Sequence, residues 1–168
     1  MRILTASIAL ISVFLIGSVA YALMIAPVNN TANIRIDDAY SYVTPKTNPA
    51  GAIFFTVKNG GNDDRLIDFT IDGAARTELH TMDMNNDIMQ MRKVDGYDVG
   101  EGEVLILDPM GNHIMVFDRN DDWNEGDVIH AQATFENAGV IPVSIDIINR
   151  GAKSPMNADD AHMHHGHD

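Results

Sequence analysis

Short runs of Val, Ile, Thr, Phe and Leu alternate with polar residues from position 33 to position 147, and each run ends in a cluster of Gly, Asn, Asp or Pro. Alternation with period two marks a half-buried strand, because successive side chains on a strand point to opposite faces. It predicts strands at Ile34–Ala39, Ala52–Lys58, Leu66–Ile71, Glu78–Met84, Met89–Lys93, Glu103–Leu107, His113–Asp118, Val128–Asn137 and Val140–Ile147. Turn formers separate them: Asn59 to Asp64, Asn85-Asn86-Asp87, Asp95-Gly96, Asp108-Pro109-Met110-Gly111 and Asn137-Ala138-Gly139, all rich in residues that tolerate turn dihedrals. No stretch of ten or more residues carries a helical period, and no internal repeat is visible. Many short strands with frequent turns imply an all-β fold, either a Greek-key sandwich or a barrel. The chain's 168 residues suffice for one hydrophobic core without disulfide support.

Two flanks break this alternation. Residues 1–22 hold one positive charge, Arg2, then an apolar run that ends in Ala20-Tyr21-Ala22, the layout of a secretory signal peptide. An uncleaved membrane anchor is the competing reading. No charge falls between Arg2 and Arg35, and about twenty apolar residues can span a bilayer. Under either reading the remainder lies outside the cytoplasm. Residues 23–32 read as a linker, 33–150 as the folded domain, and 151–168 as a polar tail with too little apolar surface to pack.

Charge narrows the partners. A net charge of −13 disfavours nucleic acid and anionic membrane surfaces, which require clustered Lys and Arg; the membrane enters only if residues 1–22 stay in place as an anchor. The chain has no cysteine, so neither a disulfide nor a thiolate metal site can form. Ten methionines exceed the three or four that ordinary usage would give, by rough expectation.

Four of the histidines and methionines fall in a fixed spacing. His80 is followed after ten residues by Met91, Met91 after twenty-one by His113, and His113 after one by Met115. Strand alternation puts His80, Met82 and Met84 on one face, and His113, Met115 and Phe117 on one face of a second strand. A hairpin at residues 85–87 would return Met89 and Met91 alongside His80. Two imidazoles with two thioethers and no thiolate suit monovalent copper. By spacing and face alone, however, these residues serve equally well as metal donors and as ordinary core and surface residues, since Met fills irregular core gaps. The tail holds a second donor group, His162, Met163, His164, His165 and His167, a short His-rich tract suited to Cu(II) or another divalent ion. His130 stands alone and reads as structural.

The segments Glu78 to Met84, Met89 to Arg92, Pro109 to Met115, Glu125-Gly126-Asp127 and Phe135 to Gly139 together resemble the PCuAC family of periplasmic copper chaperones, and both spacings fit its H-x10-M-x21-H-x-M signature. The resemblance covers Ile34 to Ile147. It implies a cupredoxin-like Greek-key β-sandwich that binds Cu(I) through His80, Met91, His113 and Met115, with Met82 matching an optional Met outside the primary ligands. It also implies delivery of copper to the dinuclear centre of cytochrome c oxidase, either to the subunit that carries it or through a thioredoxin-like assembly partner, by a protein expected to be periplasmic and monomeric. Some members of the family carry a His/Met-rich C-terminal extension associated with Cu(II), and residues 162–167 are similar to one.

Enzymatic readings find no support. Blue-copper electron transfer typically uses a Cys ligand, and the chain lacks Gly-x-Ser-x-Gly, His-Glu-x-x-His and phosphate-loop motifs. The alternative to delivery is copper buffering or tolerance, with the same site and no dedicated recipient.

Overall fold

A computed structural model of the chain describes residues 33–48, 50–85, 88–152 and 154–157. The predicted signal or anchor segment, the linker and the tail histidines lie outside the described residues. Ten strands follow in chain order: β1 (Ile34–Tyr42), β2 (Ala50–Asn59), β3 (Asp64–Ile71), β4 (Ala74–Asn85), β5 (Ile88–Lys93), β6 (Tyr97–Val99), β7 (Val104–Leu107), β8 (His113–Arg119), β9 (Val128–Phe135) and β10 (Gly139–Ile148).

All nine predicted strands are present. The tenth, β6, has three residues, too few for alternation to register. β1 runs past its predicted end because it holds a bulge: Asp38 sits at φ 55° and the register with β2 shifts between Asp37 and Tyr40. The extra residue interrupts the period-two pattern, after which the strand resumes. The expectation that residues after Arg150 pack against nothing is corrected for one short piece. Pro155–Asn157 forms a 3-10 turn beside β1, with Pro155 and Met156 half-buried. These are two apolar residues in an otherwise polar stretch, and covering them offsets the cost of ordering a short segment.

Hydrogen bonding links the strands in the order β5-β4-β8-β2-β1-β10-β9-β3-β6, with β7 paired to β2. β1 and β10 run parallel through Tyr40↔Asp146, Ser41↔Ile147 and Tyr42↔Ile148, whereas the other pairs are antiparallel. This single sheet folds over on itself. Phe55 of β2 and Phe69 of β3 are four places apart in strand order, yet their rings stack with centroids 5.5 Å apart. The Asp72-Gly73 turn, with Gly73 at φ 79°, carries the chain from β3 on one side of the fold to β4 on the other; a positive φ there suits glycine. The core between the layers includes Ile53, Phe55, Val57, Leu66, Phe69, Leu79, Ile114, Val116, Ala133 and Ile145.

On β8, Ile114 and Val116 point into this core and are fully buried, so His113, Met115 and Phe117 occupy the outer face. β2 behaves alike, with Ile53 and Phe55 inward and Ala52 and Phe54 outward. Tyr40, Tyr42 and Phe54 form a second apolar cluster with ring centroids 5.2 to 5.9 Å apart. Beside it Gly51 packs under Trp123, and a Cβ at position 51 would lie 2.9 Å from the indole. That indole is held by the Arg119 guanidinium, 4.4 Å above it, which also donates to the carbonyls of Thr44 (3.0 Å) and Pro45 (2.9 Å).

Gly51→Ala should therefore lower the stability of the apo domain by about 1–3 kcal/mol, because a pinned ring must move. Urea unfolding measures this, and an unchanged midpoint would show that the Trp123 packing is slack.

Candidate metal centre

Register brings the donors together. β4 and β5 form a hairpin in which Met82 lies opposite Met91 and His80 opposite Lys93. β4 and β8 pair so that Glu78 lies opposite Met115 and His80 opposite His113, the last pair of their ladder. Directly opposed residues project to the same face, so all these side chains stand on the outer face, away from Leu79 and Ile114. The two imidazole centroids are 6.0 Å apart, with their planes inclined at 45°.

Met91, His113 and Met115 line one cavity of about 300 Å³. Met82 and Pro109 also line it, together with Tyr42, Phe54 and Arg150. His80 does not line the cavity; it adjoins through His113. Exposure grades across the group, from Met91 at 49% through half-buried Met115 to His113 at 4%. A rim thioether over a buried imidazole leaves an approach from solvent. The side chains of Met84 and of the turn at 86–87 lie outside the described residues.

Each imidazole has one nitrogen committed and one free. His113 Nδ1 is 3.0 Å from the Gly111 carbonyl, and a carbonyl can only accept, so Nδ1 carries the proton and Nε2 keeps its lone pair. Gly111 is held in turn, since its carbonyl also accepts from the Met82 amide at 3.2 Å. His80 Nε2 lies 2.9 Å from Glu78 Oε2. That carboxylate also meets Arg76, and Lys93 at 3.5 Å. Its hydrogen bond with His80, aided by Arg76 and Lys93, holds the Glu78 pKa down to about 2 against the opposing effect of burial. An ionised Glu78 accepts a hydrogen bond from His80 Nε2–H, which leaves Nδ1 with a lone pair. That nitrogen is buried and has no hydrogen-bond partner among the described residues, the condition of a donor atom awaiting a ligand.

The donor chemistry is soft. Among the described residues no three His, Asp or Glu side chains group as an oxygen- or nitrogen-rich metal site would require. Sequence reasoning missed Glu78 as a partner of His80, although two residues on one strand at i and i+2 share a face. It also missed Tyr42 and Arg150, for which no local pattern gave a signal.

The LpqE-like family model matches residues 34–147, from the start of β1 almost to the end of β10. The chain belongs to the LpqE-like family. Solved structures similar to this LpqE-like domain include a copper-bound PCuAC domain from PmoF2, with TM-score 0.59 and 16% identity over 69% of this chain and 92% of that one. The apo PCuAC domain of PmoF2 gives 0.59 and 17% over 71% and 92%. Cu(I)-bound DR1885 from Deinococcus radiodurans gives 0.52 and 16% over 77% and 87%. No curated protein matches by sequence. The LpqE-like domain thus has the cupredoxin-like β fold of PCuAC domains, as the resemblance implied.

Burial lowers the His113 pKa from its ordinary value, with the nearby His80 acting in the same direction. As pH falls through about 6.5, the unfolded chain binds a proton here that the folded domain refuses. Stability is therefore lost from there down to the folded pKa, and above about pH 6.5 the residue contributes no pH dependence. In apo protein the His113 ring should titrate below 6.5 by NMR, and His113→Gln should flatten the acid side of the stability profile. A midpoint at or above 6.5 would contradict the burial.

Proposed function

We propose that this LpqE-like protein is an exported, non-catalytic Cu(I) carrier whose ligands are His80, Met91, His113 and Met115. One observation carries the reading: two adjoining imidazoles each have one nitrogen committed to a protein acceptor and the other free, and one of them, His113, lines a solvent-open cavity together with the thioethers of Met91 and Met115. Thioethers and imidazole suit Cu(I). The committed nitrogens are the outer-shell contacts that orient metal-binding histidines. Two imidazoles that share one ion at about 2 Å from each nitrogen have centroids roughly as far apart as the 6.0 Å between His80 and His113. Copper in the PmoF2 domain and Cu(I) in DR1885 support copper as the ion carried.

The chemistry is transfer. Thioethers need no deprotonation, so part of the donor set survives mild acid, and the exposed Met91 gives an incoming ligand a point of exchange. We assign the recipient as the copper-centre subunit of cytochrome c oxidase, or a thioredoxin-like assembly protein that passes copper to it. We assign the carrier to the periplasm, with residues 1–22 read as a signal or anchor segment, and the lipoprotein description of the LpqE-like family accords with export. The 168 residues contain no cysteine to bear a thioether-linked lipid, so any membrane attachment within them falls to the apolar segment. The tail residues His162, Met163, His164, His165 and His167 form a separate Cu(II) capture site.

Anaerobic competition against a chromogenic chelator should show one Cu(I) per folded domain. His80→Ala, His113→Ala and Met115→Ala should each weaken it on the order of 10–100-fold or more while the apo domain stays folded by circular dichroism; equal affinity in all three would remove the ligand assignment. In a deletion strain the proposal expects an oxidase defect relieved by added copper. Copper sensitivity with a normal oxidase would assign buffering instead.

A further inference from the structure

The side chain of Tyr97, on β6, reaches the ligand-bearing strands, and the sequence gives no hint of it. β6 pairs with β3 through Leu66↔Tyr97, at the far end of the strand order from β4 and β8. The folding over of the sheet brings those ends together. The Tyr97 side chain crosses the interior, 6% exposed, and its hydroxyl lies 2.6 Å from the His80 carbonyl and 3.0 Å from the His113 carbonyl. Both contacts are to main-chain acceptors, so the hydroxyl is the donor and its proton is shared between them. Burial raises the phenol pKa, which keeps that proton in place.

These two carbonyls belong to the last register pair of the β4–β8 ladder. Beyond it the strands are held by a different contact, Met82 to the loop carbonyl of Gly111. The spacing of His80 and His113 is therefore set at a ladder end, where strands fray most easily. A phenol anchored in the opposite layer ties both backbones at the level from which the two imidazoles project. We infer that Tyr97 is a positioning residue for the metal centre: by bridging the carbonyls of His80 and His113 it fixes the separation of the two imidazoles and so sets the affinity for the metal. The inference rests on the reading of His80 and His113 as ligands.

The test is Tyr97→Phe in the full mature chain, which deletes one oxygen and keeps the ring in the core. Cu(I) affinity should fall about tenfold, the scale of losing an outer-shell contact, and the apo imidazole nitrogen shifts of His80 and His113 should move. A purely structural tyrosine would lower the urea midpoint and leave both the affinity of the folded protein and those shifts unchanged. Unchanged affinity in Tyr97→Phe, with affinity lost in His113→Ala, overturns the positioning role alone. Unchanged affinity in both variants overturns the ligand reading as well. Should Tyr97→Phe not fold, the unmutated protein still decides: its buried hydroxyl proton should give a slowly exchanging resonance that shifts on saturation with Cu(I), and a resonance unmoved by copper overturns the proposal.

Discussion

The register of β4 against β8 couples the hydrophobic core to the candidate metal centre. Leu79 and Ile114 are paired and buried on the inner face; their neighbours His80 and His113 are thereby paired on the outer face. A slip of one residue would turn one of the two strands over, driving its imidazole into the core and exposing its Leu79 or Ile114 to water. Full burial of an aliphatic side chain contributes about 1.5–3 kcal/mol, so core packing, rather than metal, holds the register. The donors are placed at no separate cost because strand alternation allots every other side chain to the face that the core does not need.

Placement alone does not make a useful donor, and the surroundings supply the rest. The Gly111 carbonyl and the Glu78 carboxylate each accept a hydrogen bond from one imidazole N–H, which fixes the tautomers before any ligand arrives. Glu78 stays ionised because His80, Arg76 and Lys93 surround it. His113 sits at the floor of the cavity and stays neutral, whereas Met91 stands at the mouth, on a strand whose six residues are all exposed. Such an edge strand is usually a liability; here Arg92 and Lys93 break its apolar character and leave a thioether accessible. The nitrogen end of the arrangement is buried and held by hydrogen bonds, and its sulfur end is open to solvent.

Much of this was legible in the sequence because strands write their burial directly into alternation. Nine strands could be read, and so could the sharing of faces by His80 and Met82 and by His113 and Met115. β6 was not legible, since three residues carry no period. The β1 bulge at Asp38 was hidden because a bulge erases the pattern used to find it. Glu78 could have been found from the Glu-x-His spacing. Tyr97 could not, because its contacts depend on how the sheet folds over, a property of the assembled layers and of no local segment. The same holds for Tyr42 and Arg150, which reach the cavity from β1 and from the residues after β10.

The most direct test of the central claim is X-ray absorption on residues 23–168 loaded with one equivalent of Cu(I). The four-residue site predicts a mixed shell of imidazole nitrogen and thioether sulfur, and the sulfur contribution should shrink in Met91→Ala and in Met115→Ala. A shell of nitrogen and oxygen alone, unchanged by either substitution, would move the metal to the tail histidines and contradict the account.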